Sequence, residues 1–190
     1  IAGHRGLVGS AIWRALQERG FEDLVGFTST EVDLTQRDAA QDALASTRPD
    51  VVIDAAAHVG GILANSTHPV DFLHDNLRIQ LNLFDAAHAA DVDRLLFLGS
   101  SCIYPKFAPQ PIAESSLLTG PLEPTNQAYA IAKISGVLAV QAFREQYCRR
   151  WISAMPTNLY GPGDNFDLQT SHVLPAMIRK FDDAKRTGDP

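Results

Sequence analysis

Short apolar runs alternate with helical patterns along most of the chain, and this alternation constrains the fold more than any other feature. The runs typical of strands cover residues 24–27, 51–53, 95–98 and 151–155. Apolar residues recur at helical spacing between them, over residues 7–19, 35–45, 70–90, 127–147 and 173–185. Repeated units of this kind form a parallel sheet with helices on both faces. We therefore predict an α/β fold with a doubly wound parallel sheet.

Composition sets the size of the fold and the kinds of partner. A chain of 190 residues, 45% of them hydrophobic, can build one full core but not two independent domains. Its net charge of −6 argues against nucleic acid or an anionic membrane as a partner. There is no apolar run of about 20 residues and no signal-peptide pattern. Two cysteines form no disulfide framework, so we expect a cytoplasmic protein.

A glycine-rich turn stands near the start of the chain. Gly3, Gly6 and Gly9 are spaced three apart, between a short strand and the first helix. This spacing lets backbone N–H groups and the helix N-terminus approach a pyrophosphate, which predicts a dinucleotide site. Only Ile1 and Ala2 precede the turn, so we expect the first strand to be truncated.

A second pattern predicts a reducing site. Tyr129 and Lys133 lie four residues apart, so a helix places them on one face, where the ammonium favours the phenolate. Ser100 follows the strand 95–98, at the sheet edge where open α/β sheets bind ligands. Its hydroxyl can hydrogen-bond the carbonyl oxygen that Tyr129 protonates. We predict that these three residues act on one substrate oxygen.

The glycine turn, the serine and Tyr-x-x-x-Lys together resemble the short-chain dehydrogenase/reductase family. The segment Asn158-Leu159-Tyr160-Gly161-Pro162 resembles its extended branch, which modifies nucleotide sugars. The resemblance implies a Rossmann-like NAD(P)-binding domain over residues 1–160. It also implies that residues 161–190 begin a smaller C-terminal substrate-binding domain, largely absent from this chain. We expect a piece of this extent to be weakly active or inactive alone.

Longer motifs narrow the resemblance to one group within that branch. They are Gly3-His4-Arg5-Gly6, Gly99-Ser100-Ser101-Cys102-Ile103-Tyr104-Pro105, Glu123-Pro124-Thr125-Asn126, Tyr129-Ala130-Ile131-Ala132-Lys133 and Met155-Pro156-Thr157-Asn158-Leu159-Tyr160-Gly161-Pro162. The group resembled uses NADPH to convert GDP-4-keto-6-deoxy-D-mannose to GDP-L-fucose, by epimerisation at C3 and C5 and reduction at C4. By resemblance, Ser100, Tyr129 and Lys133 serve the reduction.

The resemblance assigns proton transfer during epimerisation to Cys102 and His172. A 4-keto sugar has acidic C–H bonds at C3 and C5, because each carbanion is stabilised as an enolate. One group must remove a proton and another return it on the opposite face. Which residue acts as acid at each carbon, and the order of the two epimerisations, stay open.

The resemblance also places the ligands. Cofactor contacts fall on Gly3, His4, Arg5, Gly6, Leu7, Val8, Gly9, Asp33, Leu34, Ala55, Ala56, Ala57, Leu98, Gly99, Ser100, Ser101, Tyr129, Lys133, Pro156, Thr157, Asn158, Leu159 and His172. Substrate contacts fall on Ser100, Cys102, Tyr129, Asn158 and Lys180. Arg5 can pair with a 2′-phosphate, which favours NADP(H). Residues 26–30 lack the second arginine of some family members, which leaves NAD(H) open.

The sequence leaves two other functions open. A nucleotide-sugar 4-epimerase or dehydratase would keep the glycine turn and the Ser-Tyr-Lys set, but Cys102 with His172 argues against it. A non-catalytic NADP-binding regulatory domain has no need of that set. The remaining histidines show no metal-ligand pattern, so we expect no metal. By resemblance, the helices at 70–90 and 127–147 pair across a homodimer.

Overall fold

A computed structural model describes residues 1–168 and 170–188. Its helices are α1 (Leu7–Glu18), α2 (Arg37–Thr47), α3 (Ile62–Thr67), α4 (Pro69–Ala89), α5 (Gln127–Tyr147) and α6 (Val173–Thr187). Its strands are β1 (Val51–Asp54), β2 (Arg94–Leu98) and β3 (Arg150–Ala154). Short 3₁₀ turns lie between β2 and α5, at Ser101–Ile103, Glu114–Ser116 and Pro124–Asn126. Residues 169, 189 and 190, within the predicted 161–190 region, lie outside the described residues.

The strands form one parallel sheet in the order β1-β2-β3. On the other edge of β1, Ala2 forms a parallel bridge with Asp54. The amino group of Ile1 in turn donates to the carbonyl of Val25 at 2.6 Å. Residues 1–2 therefore lie between the segment at Val25 on one side and β1 on the other side. The parallel sheet and the matching family and solved structure confirm the α/β, Rossmann-like fold class.

Two parts of the predicted layout are wrong. Residues 24–27 run alongside Ile1 without forming a strand, because the single hydrogen bond from the Ile1 amino group to Val25 is not followed by the repeated bonds of a ladder. Helix α3 was not predicted, since its six residues are too few to show a helical period. Helix α5 spans 127–147 as predicted.

Helices α2, α4 and α5 pack beside one another against one face of the sheet. Alternate strand residues point into this layer, among them Val52, Phe97 and Trp151, which are buried. The Trp151 indole N–H donates to the carbonyl of Val92 at 3.0 Å, so its polar atom is satisfied within the core. The other face is less covered than predicted, because Val51 and Ile152 are 47% and 53% exposed.

Helix α1 lies against the glycine turn through direct backbone contact. A Cβ on Gly9 would lie 2.1 Å from the carbonyl oxygen of Gly3, far inside van der Waals contact. A Cβ on Gly6 would lie 3.4 Å from the same oxygen, an ordinary contact. Only Gly9 therefore requires a glycine for packing between helix and turn.

This difference between the two glycines can be tested by stability. We expect Gly9→Ala to lower the free energy of unfolding by about 3 kcal/mol, because the clashing atoms are backbone atoms that cannot rotate away. The matched Gly6→Ala variant should change it by less than about 1 kcal/mol. Urea denaturation of both variants without cofactor measures the difference. Equal losses in the two variants would contradict the packing argument.

Candidate active site

The site lies where β2 and β3 end. Beyond the strands, the N–H of Gly99 donates to the carbonyl of Ala154 at 2.8 Å, and the N–H of Ser101 donates to that of Pro156 at 3.2 Å. These bonds bring residues 98–101 and the start of 156–159 side by side. Ser100 is in extended conformation before the turn Ser101–Ile103, and its Oγ accepts from the Cys102 N–H at 3.5 Å.

Helix α5 carries Tyr129 and Lys133 to this edge. The Lys133 Nζ donates to the carbonyl oxygen of Leu98 at 2.8 Å and lies 5.9 Å from the centre of the Tyr129 ring. The Lys133 side chain is buried, so its charge is held in a medium of low dielectric constant. The charge of Lys133 acts to lower the pKa of the Cys102 thiol, and Cys102 acts to raise the pKa of the Tyr129 phenol. The structure thus brings together four of the five predicted catalytic residues, Ser100, Cys102, Tyr129 and Lys133.

Burial keeps both acidic groups of this cluster protonated. It raises the pKa of the Tyr129 phenol, the nearby Cys102 raises it further, and Ser100 opposes the shift through a hydrogen bond. Burial likewise raises the pKa of the Cys102 thiol, against opposing effects of Ser100 and Lys133. The sequence-based expectation that Lys133 draws Tyr129 toward the phenolate is wrong for this structure. Burial is the largest cause of the shift in the Tyr129 pKa, and Lys133, whose Nζ is bound to the Leu98 carbonyl, is not among the groups that shift it.

The glycine turn lies against the residues that follow β1. Gly3 has a φ of +73°, and a Cβ there would lie 2.6 Å from the carbonyl oxygen of Ala55. The turn therefore touches the predicted cofactor segment 55–57. Helix α1 begins after Gly6 without a side-chain cap, which leaves its first N–H groups, at Leu7, Val8 and Gly9, without intrahelical partners. Such N–H groups form an anion-binding end of a helix.

The other predicted cofactor residues near the turn differ in how they are held. The His4 ring lies 5.4 Å from that of Trp13 and fills the space that a Cβ on Gly26 would need. Arg5 is exposed. The Asp33 carboxylate accepts from the Thr35 N–H at 2.9 Å and from its hydroxyl at 2.7 Å, within its own turn. Leu34 packs against the core, and its carbonyl accepts from Asn82 at 2.9 Å.

Three predicted residues are not drawn into the cluster. The side chains of Asn158, His172 and Lys180 are exposed and form no hydrogen bond, ion pair or ring contact with other described residues. The segment before His172 instead contacts the loop after β1, where the Gly61 N–H donates to the Thr170 carbonyl at 3.3 Å. The structure therefore brings no partner to the His172 imidazole within the described residues.

Sequence reasoning missed Asp54, the last residue of β1. Its carboxylate is 1% exposed, and burial raises its pKa to about 6, although Lys133 and the Ala56 N–H act in the opposite direction. The available signal was a single carboxylate closing the apolar run Val51-Val52-Ile53, at the sheet edge where ligands bind. Among residues 1–168 and 170–188, no group of three or more His, Cys, Asp or Glu side chains could hold a metal ion. In the same ranges, no helix has the length and apolar character needed to cross a membrane.

The parallel sheet, the glycine turn and the Ser-Tyr-Lys cluster define the class of nucleotide-binding α/β proteins with a reductase-type site. More specifically, the chain belongs to the NAD dependent epimerase/dehydratase family, whose model matches residues 1–189.

Curated relatives and solved structures agree with this family. The chain is 58% identical over 188 residues to GDP-L-fucose synthase 1 of Arabidopsis thaliana, which covers 99% of the chain and 58% of the relative. It is 55% identical over 190 residues to the GDP-L-fucose synthase of Escherichia coli (strain K12), covering 100% of the chain and 59% of the relative. A GDP-L-fucose synthetase structure from Naegleria fowleri bound to NADP has a TM-score of 0.89 and 30% identity, covering 100% of the chain and 62% of that structure. The chain thus spans little more than half the length of its curated relatives.

Proposed function

We propose that the protein carrying this chain converts GDP-4-keto-6-deoxy-D-mannose to GDP-L-fucose with NADPH, by epimerisation at C3 and C5 and reduction at C4. The observation that carries the proposal is the cluster of Ser100, Cys102, Tyr129 and Lys133 at the sheet edge. A keto reductase needs the serine, tyrosine and lysine, and the thiol adds a second proton-transfer group. The names of the relatives at 55% and 58% identity support the same substrate.

The residues present fit a dinucleotide. The contact between Gly3 and Ala55 leaves no side chain over the turn, and the uncapped start of α1 offers N–H groups to a pyrophosphate. The exposed guanidinium of Arg5 suits a 2′-phosphate, and the similar structure bound to NADP supports the same choice. When bound, the cofactor supplies the hydride for the C4 carbon.

The chain's own residues handle the oxygen at C4. Because the pKa of Tyr129 is raised, its phenol is protonated at neutral pH and can give its proton to an oxygen that gains negative charge. The Ser100 side chain shares a hydrogen bond with the same phenol. Its hydroxyl can donate a hydrogen bond to the substrate oxygen. Lys133 places its positive charge beside the developing anion.

Cys102 and His172 are the groups proposed for epimerisation. The Cys102 thiol lies in the cluster, so a keto sugar bound to Ser100 and Tyr129 would present its neighbouring C–H bonds to it. His172 precedes α6 and is exposed, so its imidazole is free to approach the opposite face of a bound sugar. One of the two removes the proton and the other returns it.

Separate variants distinguish the two half-reactions. We expect Cys102→Ser to abolish solvent-deuterium exchange at C3 and C5 while NADPH still binds, because the hydroxyl gives up its proton far less readily than the thiol. Tyr129→Phe should instead lower NADPH oxidation by about 10³-fold, within the usual contribution of a general acid. Mass spectrometry of the recovered sugar measures the first effect, and absorbance at the nicotinamide band measures the second.

The same assay separates the alternatives. Exchange at the wild-type rate in Cys102→Ser would remove Cys102 from the mechanism. A 4-epimerase or dehydratase would not oxidise NADPH with this substrate, and a non-catalytic binding domain would show neither exchange nor oxidation.

Arg5 provides the test of cofactor choice. We expect Arg5→Ser to weaken NADPH binding by about tenfold, because a charge-assisted hydrogen bond to the 2′-phosphate is lost. NADH binding should change by less than twofold, since NADH lacks that phosphate. Fluorescence titration with each dinucleotide measures both values. Equal weakening of the two would show that Arg5 does not read the 2′-phosphate.

We also propose that the protein is a cytoplasmic homodimer formed through α4 and α5. These helices pack side by side and expose Leu81 and Leu138, which are 49% and 41% exposed. The free thiols of Cys102 and Cys148 suit a reducing compartment.

We expect Leu81→Glu combined with Leu138→Glu to halve the mass found by sedimentation equilibrium. A wild-type monomer, or an unchanged dimer in the double variant, would contradict the proposed interface.

A further inference from the structure

Asp54 is a buried carboxylate with no role in the proposed reaction steps. Its Oδ1 accepts from the Ala56 N–H at 3.1 Å, while its buried Oδ2 has no hydrogen-bond partner among the described residues. A buried carboxylate in an apolar layer is costly unless a cation or further donors lie near it. The position of Asp54 therefore calls for a nearby positive charge.

Lys133 is the buried cation of the same layer, at 3% exposure. An ammonium has three donors, and the hydrogen bond to the Leu98 carbonyl uses one of them. Its Nζ also lies 4.7 Å from the centre of the Phe97 ring. Lys133 thus has donors left over while Asp54 has an acceptor left over.

The sheet register places the two groups on the same side. Asp54 of β1 is the register partner of Phe97 of β2, and both side chains are buried beneath the helices. Because the Lys133 ammonium lies over the Phe97 ring, it is on the Asp54 side of the sheet. Each group also acts on the other's titration: Lys133 lowers the pKa of Asp54, and Asp54 raises the pKa of Lys133.

Burial disfavours the charged form of both groups. Burial raises the pKa of Asp54 to about 6 and lowers the pKa of Lys133. The other ionisable groups that face the pair are the Ile1 amino group, which acts on Asp54, and Cys102, which acts on Lys133. Tyr129 of α5 lies beside Lys133. Among the groups that shift the pKa of Lys133, Asp54 is the one that carries a carboxylate.

We propose that Asp54 is a positioning residue that acts as the buried counter-ion of Lys133, holding its ammonium charged and in place beside Tyr129. The charge pairing is independent of the proposed function, because it rests on the register of β1 and β2 and on the placement of the Lys133 ammonium over Phe97. Its effect on turnover rests on the proposed function, because it requires that Lys133 and Tyr129 act on a keto sugar.

A double-mutant cycle tests the pairing without any substrate. Asp54→Asn keeps the acceptor for the Ala56 N–H but removes the charge, and Lys133→Met keeps most of the side-chain volume. We expect the double variant to lose clearly less stability at pH 7.5 than the sum of the two single losses, because each single variant leaves one buried charge unpaired. The Ile1 amino group is unchanged in all four proteins, so its effect cancels. Additive losses would overturn the pairing.

The pH dependence of the same stabilities provides a second readout. Because the folded pKa of Asp54 is raised above its unfolded value, its protonated form favours folding at low pH, and that contribution is lost as pH rises through about 6. The difference in stability between wild type and Asp54→Asn should therefore change between about pH 4 and pH 6. In the Lys133→Met background the upper limit of this window should move above pH 6. An unchanged window would contradict the pairing even if one variant is only marginally stable.

Turnover tests the positioning role. We expect Asp54→Asn to lower kcat for NADPH oxidation by about tenfold at pH 8, and to shift the alkaline limb of the kcat profile down by about one pH unit, because Lys133 loses its opposing charge. The KM for NADPH should change by less than twofold. Asp85→Asn, which removes an exposed carboxylate from α4, is the matched control and should leave the profile unchanged.

The outcomes for pairing and function are distinguishable. An unchanged alkaline limb in Asp54→Asn would overturn the positioning role. A wild-type protein inactive on the keto sugar would contradict the proposed function, while the double-mutant cycle would still decide the pairing.

Discussion

The backbone contact at the glycine turn is the constraint on which the rest of the site depends. Gly9 of α1 meets the Gly3 carbonyl, and Gly3 meets the backbone of Ala55 at the end of β1. These contacts fix the N-terminus of α1 beside the end of β1. A side chain at either glycine would separate helix from sheet and close the space in which a pyrophosphate can approach the N–H groups.

The parallel sheet then gathers the reactive residues. Residues far apart in the chain meet because parallel strands all end at one edge, and the bonds from Gly99 and Ser101 to the chain after β3 extend that pairing beyond the strands. The long helix α5 crosses the same edge and brings Tyr129 to Ser100. The side chains of the cluster therefore lie on α5 or directly after β2. Because these elements are rigid, less entropy is lost when the side chains are oriented for reaction.

The sequence is informative where a residue's role depends on local pattern. The strands from residue 51 onward and the predicted helices follow local patterns, and these elements are found. The glycine spacing and the Tyr-x-x-x-Lys spacing are also local, and they fall on a turn and a helix as predicted. The failed strand at 24–27 depends on a ladder with residues 1–2, and the pattern within residues 24–27 does not report such a contact between segments. The same holds for the pKa of Tyr129, because burial depends on the packing of the whole layer. Asp54 was missed for a related reason: its partner lies 79 residues further along the chain, on α5.

Burial imposes opposite demands on the groups of this site. The dry environment that keeps the phenol of Tyr129 and the thiol of Cys102 protonated also favours loss of the proton from Lys133. A neutral Lys133 would still donate to the Leu98 carbonyl, but it would no longer stabilise negative charge on a substrate oxygen. An exposed carboxylate could not correct this, because solvent screens it. The counter-ion must itself be buried, and burial then raises its own pKa, as it does for Asp54. A protonated acid and a charged lysine can thus coexist in one apolar layer only if a second, costly charge is buried with them.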